Sequence, residues 1–293
     1  MHLPLLLPLL AALLYAAAAL CVKTALGRGV TTLDILFLSN LVLAAFFLPL
    51  AFIGHDHWNA SHLPWALLAG TLFFLGQVGT FRSLQSGDVS IATPALAAKV
   101  VFVALLSLLV PGSRPDPDLW LAVFLTMTGM LLLHRGPVTA VSRPLPTLAW
   151  ALFAAFSFAA TDIVVQVGAP KAGFTLFMPV MFGAVAALSL PLLAPARRRR
   201  KRAVRAPGAV AWATAGVVLL GLQAVGMGTT IGLFGDATGA NVVYSSRGLW
   251  SLLLLALVAH RFGVKDSVRD RRTLMLRVVG SILILAAVTL VLF

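Results

Sequence analysis

Four ionisable side chains lie within long apolar stretches of the chain, where they could hold a charged solute: Lys23, Lys99, Asp162 and Arg247. A charge inside membrane hydrocarbon costs about 2.5 kcal/mol or more, so it needs a partner, a cavity or a route to the surface. Lys99 and Arg247 lie about 13 and about 12 Å into their stretches, where snorkelling barely reaches the surface. Three cations and one anion leave two surplus positive charges, which favour an anionic solute.

The two deep cations suit oxyanions in different ways. Arginine offers a planar fork that matches a carboxylate, phosphate or sulfonate, whereas lysine offers a compact charge. A purely structural role is the alternative, in which Asp162 neutralises one of the three cations or backbone carbonyls do so. Asp88 and Asp236 could also pair with Lys99 and Arg247, but each precedes an apolar stretch, where it can cap a helix N-terminus.

Helical spacing adds polar and aromatic residues to the candidate solute-binding set. Tyr244 precedes Arg247 by three residues and shares its helix face, and Tyr15 and Lys23 are eight residues apart on one face of the first stretch. Polar side chains in such stretches can also serve as interhelical hydrogen bonds, and Lys23 could simply snorkel. The predicted substrate-binding residues are Lys99, Arg247, Tyr244, Asp162, Lys23, Tyr15, Gln77 and Gln223.

The composition indicates which environment must hold these residues. Of the 293 residues, 60% are hydrophobic and 11% charged, and the mean hydropathy is +1.00. A soluble domain carries about 25% charged residues, so most of this chain must face lipid. The nine acids are all Asp, which removes most two-carboxylate enzyme mechanisms, and the lone Cys21 excludes an intramolecular disulfide.

Ten apolar stretches are long enough to be transmembrane helices, which need about 20 residues. Runs such as residues 252–255 do not alternate, so they favour helices over a β-barrel. The first stretch lacks a basic n-region, and we interpret it as a span and not a cleaved signal. We predict an all-α integral membrane fold with spans at 3–26, 32–53, 63–84, 90–110, 118–134, 145–168, 173–195, 208–232, 239–260 and 274–293.

The basic residues predict an orientation. Of 22 Lys and Arg residues, 17 follow odd-numbered spans, 2 follow even-numbered spans and 3 lie within spans. Because cytoplasmic loops are enriched in Lys and Arg, the loops after odd-numbered spans are predicted to be cytoplasmic and both termini to lie outside. This is the distribution expected in the inner, cytoplasmic membrane, and it accounts for the net charge of +13 without nucleic acid as a partner.

An internal repeat relates the two halves of the chain. Residues 87–92 and 235–240 share a Gly-Asp pair and small residues, and the same 148-residue offset aligns Lys99 with Arg247. Gly129 in span 5 and Gly280 in span 10 are a further similarity between the two halves. Five spans per repeat would invert one repeat relative to the other in the membrane. We therefore predict five-helix repeats at 1–137 and 138–293, with Lys99 and Arg247 facing one another across the pseudo-twofold axis.

With its ten spans, short loops and the turns entering spans 4 and 9, the chain resembles the drug/metabolite transporter superfamily, in particular its ten-span, EamA-like members. The resemblance implies a central cavity lined mainly by spans 1, 3, 4, 6, 8 and 9. Many bacterial members carry a Trp-Ser-like pair early in span 1, where this chain has Tyr15-Ala16. Plastid sugar-phosphate translocators of this superfamily hold phosphate with basic residues of spans 4 and 9, positions that Lys99 and Arg247 resemble.

These observations predict a secondary active transporter that moves a small organic anion by alternating access around a cationic cavity. Two alternatives stay open: an exporter of amino acids or drugs, in which the cations serve structure, and a flippase for a phosphorylated lipid headgroup. The sequence contains no Walker A loop, HExxH motif or nucleophile elbow, so we expect neither enzymatic activity nor a cofactor or metal. The expected partners are the solute and membrane lipid, with the chain as a monomer or a homodimer.

Overall fold

The computed structural model describes residues 3–53, 60–86, 89–112, 115–133, 144–194, 206–262 and 271–293. All regular structure in these residues is helical, as predicted. The helices are α1 Leu6–Gly27, α2 Thr32–Phe47, α3 Leu50–Ile53, α4 Leu63–Ser86, α5 Val89–Ala97, α6 Lys99–Ser107, α7 Pro117–Leu133, α8 Pro144–Ala172, α9 Phe174–Ser189, α10 Ala209–Phe234, α11 Ala237–Tyr244, α12 Arg247–Phe262 and α13 Arg271–Leu292.

Seven helical stretches of the described residues are long and apolar enough to cross a membrane, and they coincide with predicted spans 1, 2, 3, 6, 7, 8 and 10. Two shorter apolar helices, Ile91–Ser107 and Pro117–Leu133, coincide with predicted spans 4 and 5. Large apolar side chains point outward along these helices, among them Phe124 at 66% and Ile282 at 58% exposure. An apolar exterior of this kind is expected of a surface that faces lipid.

Local sequence explains where several helices begin. Thr31 accepts a hydrogen bond from the backbone N–H of Asp34, and the Asp34 carboxylate accepts one from the N–H of Thr31, which closes a capping box at α2. Gly173, at φ 85°, separates α8 from α9, and Gly235, at φ 71°, separates α10 from α11. Both have the positive φ that side-chain-bearing residues rarely adopt, so glycine permits these short connections.

The helices pack in matching pairs. α4 packs along α8, and α10 packs along α1; α4 also contacts α9 as α10 contacts α2; α6 contacts α8 as α12 contacts α1. α7 and α13 pack on each other at their glycines. A Cβ added to Gly129 would lie 2.7 Å from the carbonyl oxygen of Gly280, and one added to Gly280 would lie 2.6 Å from that of Gly129. The backbones of α7 and α13 therefore touch directly at this crossing.

Two predicted spans contain a tight turn at equivalent places. The N–H of Ala98 donates to the carbonyl of Ala95 at 3.1 Å, between α5 and α6, and the N–H of Ser246 donates to the carbonyl of Val243 at 3.1 Å, between α11 and α12. The two turns are 148 residues apart, the same offset that aligns residues 87–92 with residues 235–240 in sequence. Lys99 and Arg247 are the first residues of the helices that follow. Mid-helix turns of this i→i−3 type often mark functional hinges.

Candidate functional site

Lys99 and Asp162 form an ion pair at the centre of the candidate site. The Nζ atom of Lys99 lies 2.8 Å from Oδ2 of Asp162, and the two side chains are 18% and 13% exposed. The Lys99 ammonium also lies 5.9 Å from the ring centroid of Phe158, one helical turn before Asp162 on α8. Of the pairings that the sequence left open for Asp162, the structure has the one with Lys99.

Asp162 also joins a third helix. The Nδ2 atom of Asn241 on α11 donates to Oδ2 of Asp162 at 2.6 Å and to the carbonyl of Ala237 at 2.8 Å. One turn after Asp162 on α8 and one turn before Asn241 on α11, the backbone N–H of Ala237 donates to Oε1 of Gln166 at 3.1 Å. Asn241 was not among the predicted site residues. In the sequence, only its position one turn before Tyr244 points to the site. Its residue type does not, because an amide in an apolar helix has many potential partners.

Arg247 has an aromatic environment. Its guanidinium carbon lies 4.9 Å from the ring centroid of Tyr15 and 4.6 Å from that of Tyr244, and the two rings meet edge to face at 5.9 Å. The three distances are similar, so the guanidinium lies beside both rings, which are inclined by 75°, and is not sandwiched between parallel rings. Both contacts are cation–π interactions, which stabilise an arginine without neutralising it. Between described residues, no carboxylate lies within ion-pair distance of Arg247.

Both cations and the carboxylate belong to one electrostatic centre. Asp162 interacts electrostatically with Arg247 and Tyr244, in addition to its direct contact with Lys99. The ion pair cancels one positive charge, so the centre retains a single surplus charge on Arg247. The prediction of two surplus charges had also counted Lys23.

Two buried hydrogen-bonding groups within three residues of Arg247 in sequence lack a partner. The Ser246 hydroxyl and the indole Nε1 of Trp250 are inaccessible and have no hydrogen-bond partner in the described structure. Trp250 packs against the same apolar cluster as Tyr15 and Tyr244. An unsatisfied buried donor costs about 1–3 kcal/mol, so two of them beside one unneutralised cation suggest a function outside this conformation. Neither residue was predicted from sequence.

The remaining predicted residues lie elsewhere. Lys23 is exposed, one turn before the end of α1. The Gln77 amide donates to Oδ1 of Asn40 at 2.8 Å and accepts from its Nδ2 at 3.0 Å, which joins α4 to α2. Gln223 is partly buried on α10. Asp236 caps α11 by accepting from the N–H of Gly239 at 2.7 Å, as predicted. Asp88 lies outside the described residues.

A cavity of about 280 Å³ opens at one end of the bundle. Its lining includes Gln166 on α8 and Ala237 on α11, which are one helical turn from Asp162 and Asn241, respectively. The full lining is Gly112, Pro115, Leu119, Gln166, Gly235, Asp236, Ala237 and Thr238. Among the described residues, no group of three His, Cys, Asp or Glu side chains is placed to hold a metal.

Comparison with known proteins identifies the family. Residues 2–135 match the model of the EamA-like transporter family. The match covers just under half of the chain and identifies this first part as EamA-like. It places the protein in the drug/metabolite transporter superfamily, which the sequence resembled. With its long apolar helices, the protein is a multi-pass membrane protein, and the members of the family that residues 2–135 match are transporters and not enzymes.

Solved structures resemble the whole EamA-like chain. Among 29 matching chains, one described as "Crystal structure of protein" superposes with a TM-score of 0.73 over 98% of this chain and 95% of that one. Its identity is 16%, so the likeness concerns the fold alone. Comparison with curated proteins finds no match.

Proposed function

We propose that this EamA-like protein is a secondary active transporter that binds a small organic anion between Arg247 and Lys99 and carries it by alternating access. One observation carries the proposal: Arg247 contacts two aromatic rings and, among described residues, no carboxylate. A cation held without an anion in a membrane interior is costly, which a solute anion would offset. The partnerless donors of Ser246 and Trp250 support the same conclusion.

Alternating access would follow from ten spans in two inverted repeats, 1–137 and 138–293. The matching helix pairs, the glycine crossing of α7 and α13 and the equivalent turns at Ala98 and Ser246 support that arrangement. The contacts also cross between the repeats: Lys99 of the first contacts Asp162 and Phe158 of the second, and Arg247 of the second contacts Tyr15 of the first. Rocking of one repeat against the other would therefore remake the site.

The orientation completes the proposal: an inner-membrane protein with both termini outside. Arg28, at the end of α1, donates to the carbonyl of Pro207 at 2.8 Å, so it lies beside the start of α10 and close in sequence to the basic stretch 197–205. The described ends of two loops that follow odd-numbered spans, at Arg28 and Pro207, thus meet at one end of the bundle, which supports the charge-based topology.

The test uses three anions with one aromatic ring and different heads: hippurate, benzenesulfonate and phenyl phosphate. Each is assayed by thermal shift in detergent and by counterflow in proteoliposomes. We expect at least one to bind and exchange. Arg247→Gln should weaken its binding by about 10–100-fold, because a hydrogen bond to a charged group contributes about 1.5–3 kcal/mol.

The matched control is Arg28→Gln, which removes an exposed arginine at the end of α1 and should leave binding unchanged. If Arg247→Gln binds and exchanges all three anions as the wild type does, the anion proposal is wrong. The alternative, export of amino acids or drugs, is favoured by the Lys99–Asp162 pair, which already neutralises one cation. Under that alternative, phenylethylamine or phenylalanine would shift the melting temperature and the three anions would not.

A further inference from the structure

Asp162 connects three parts of the site through a single carboxylate. Its Oδ2 atom receives the Lys99 ammonium at 2.8 Å and the Asn241 amide at 2.6 Å, from α6 and α11. It is 13% exposed, so water solvates it little. The Lys99 ammonium and the Asn241 amide are therefore the main groups that compensate the negative charge of this carboxylate.

A solute anion would compete with Asp162 for Lys99. The empty centre carries Lys99 and Arg247 as cations and Asp162 as an anion, a net charge of one. An oxyanion bound to Arg247 attracts the Lys99 ammonium, and as the ammonium moves, Asp162 loses its ion partner within a poorly hydrated site. An unpaired buried carboxylate is strongly unfavourable and gains a proton instead. Loaded with one monoanion and one proton, the centre again has a net charge of one.

We propose that Asp162 is the proton-binding site of this transporter, and that one proton and one monoanion are carried together without net charge. The inference rests on the proposed anion transport and adds a proton gradient as its energy source. The proton comes from water on the side to which the site is open and binds a carboxylate oxygen of Asp162. It returns to water on the other side when the anion leaves and Lys99 pairs with Asp162 again. No other bond forms or breaks.

Among the groups that face Asp162, none competes with its carboxylate as the proton acceptor. Lys99 faces it from α6, and Tyr244 and Arg247 interact with it from the α11–α12 region. Arg247 stays protonated and Tyr244 is a far weaker acid than a carboxylic acid. The segments 89–97, 174–189 and 209–234, which also pack on α8, contain no titratable side chain. α4 carries Arg82, close to its C-terminal end, and His62 immediately precedes its N-terminus.

The cavity lies close to the proposed proton site. Gln166 and Ala237 line it, and each lies one helical turn from a member of the Asp162–Asn241 hydrogen bond. Under the proposed topology, this end of the bundle is the outer one. A proton entering there meets polar side chains before the carboxylate.

The experiment compares gradient-driven uptake with counterflow in proteoliposomes, using benzenesulfonate and hippurate, which are anions throughout the working pH range. An acidic exterior should drive the wild type to accumulate the transported anion. The uptake should not change when potassium and valinomycin set the membrane potential. Asp162→Asn should lose accumulation, and whatever exchange it retains should no longer respond to the pH gradient, because a neutral amide binds no proton. The control Asp34→Asn changes a carboxylate in the capping box of α2 and should keep both accumulation and counterflow.

The outcomes separate this inference from the function on which it rests. If the wild type exchanges none of hippurate, benzenesulfonate and phenyl phosphate, anion transport itself is wrong. If it exchanges phenyl phosphate alone, the coupling of one proton to one monoanion is wrong. If the wild type exchanges an anion but ignores the pH gradient, or if Asp162→Asn accumulates it as the wild type does, the proton site is wrong and the transport proposal stands.

A measurement on the wild type avoids dependence on the variant's folding. Benzenesulfonate or hippurate is titrated into lightly buffered detergent-solubilised protein with a pH-indicator dye. We expect uptake of about one proton for each anion bound, as linkage requires when binding creates a protonated group. Binding without proton uptake would overturn the inference.

Discussion

Substitution of Trp250 separates an effect on stability from an effect on solute binding. Its indole N–H is buried without a partner, so Trp250→Phe removes an unsatisfied donor of about 1–3 kcal/mol while keeping most of the ring contacts. We expect the melting temperature of the solute-free protein to stay equal or rise. The affinity for the anion that the wild type binds should fall severalfold, since the N–H would reach the anion in the loaded state.

Isothermal titration and thermal unfolding on the same preparation measure both quantities. Trp212→Phe is the matched control, because Trp212 is exposed beside Arg28 at the bundle end and should leave affinity unchanged. A fall in melting temperature with unchanged affinity would assign Trp250 to packing alone.

At the scale of single residues, the sequence identifies the charged members of the site but not the neutral polar ones. Lys99, Arg247 and Asp162 stand out because ionisable residues are rare in apolar helices, and the structure brings them to one centre. Asn241 and Ser246 do not stand out, because a neutral polar side chain in a helix can satisfy itself on its own backbone. Gln77 illustrates the converse, since its amide is engaged by Asn40.

At the scale of elements, the crossing of α7 and α13 depends on two glycines. A Cβ on Gly280 would lie 2.6 Å from the carbonyl oxygen of Gly129 and 2.9 Å from the backbone nitrogen of Leu133, and backbone cannot move aside cheaply. Gly280→Ala should therefore lower the melting temperature, at a cost of about 1–3 kcal/mol from overpacking. The measurement is thermal unfolding in detergent, followed by tryptophan fluorescence.

Gly183→Ala is the control, because a Cβ there meets nothing within 4 Å. Alanine is the better helix former by about 1 kcal/mol, so this variant should be as stable as the wild type or more stable. Equal melting temperatures for Gly280→Ala and the wild type would mean that the two helices can separate without cost.

Hydrophobic length predicted the positions of the elements but not their interruptions. The described helices fall within a few residues of the predicted spans, because about 20 apolar residues leave little freedom in where a membrane helix lies. The turns at Ala98 and Ser246 were missed, because neither turn has proline or glycine among the residues whose hydrogen bond defines it. Their equivalence emerges only when the backbone bonds are compared at the 148-residue offset.

At the scale of the whole molecule, the proposed direction of transport and the proposed source of the proton depend on which end faces the cytoplasm. The loops after odd-numbered spans, together with the adjoining span ends at Arg82 and Arg277, carry 17 of the 22 basic residues, and short basic loops remain on the cytoplasmic side. Orientation is a property of the chain in its membrane and not of its internal contacts, so the helix packing alone is compatible with either direction.

Single-cysteine labelling tests the orientation, and the sequence makes it simple because Cys21 is the lone cysteine. In a Cys21→Ala background, Ser113→Cys places a thiol in the loop after span 4, and Ser142→Cys places one in the loop after span 5. We expect a membrane-impermeant maleimide added to intact cells to label Ser113→Cys, and to label Ser142→Cys only after permeabilisation. The reverse pattern would put both termini in the cytoplasm. The cavity beside Asp162 would then open inward, and the same proton site would load from the cytoplasm through it.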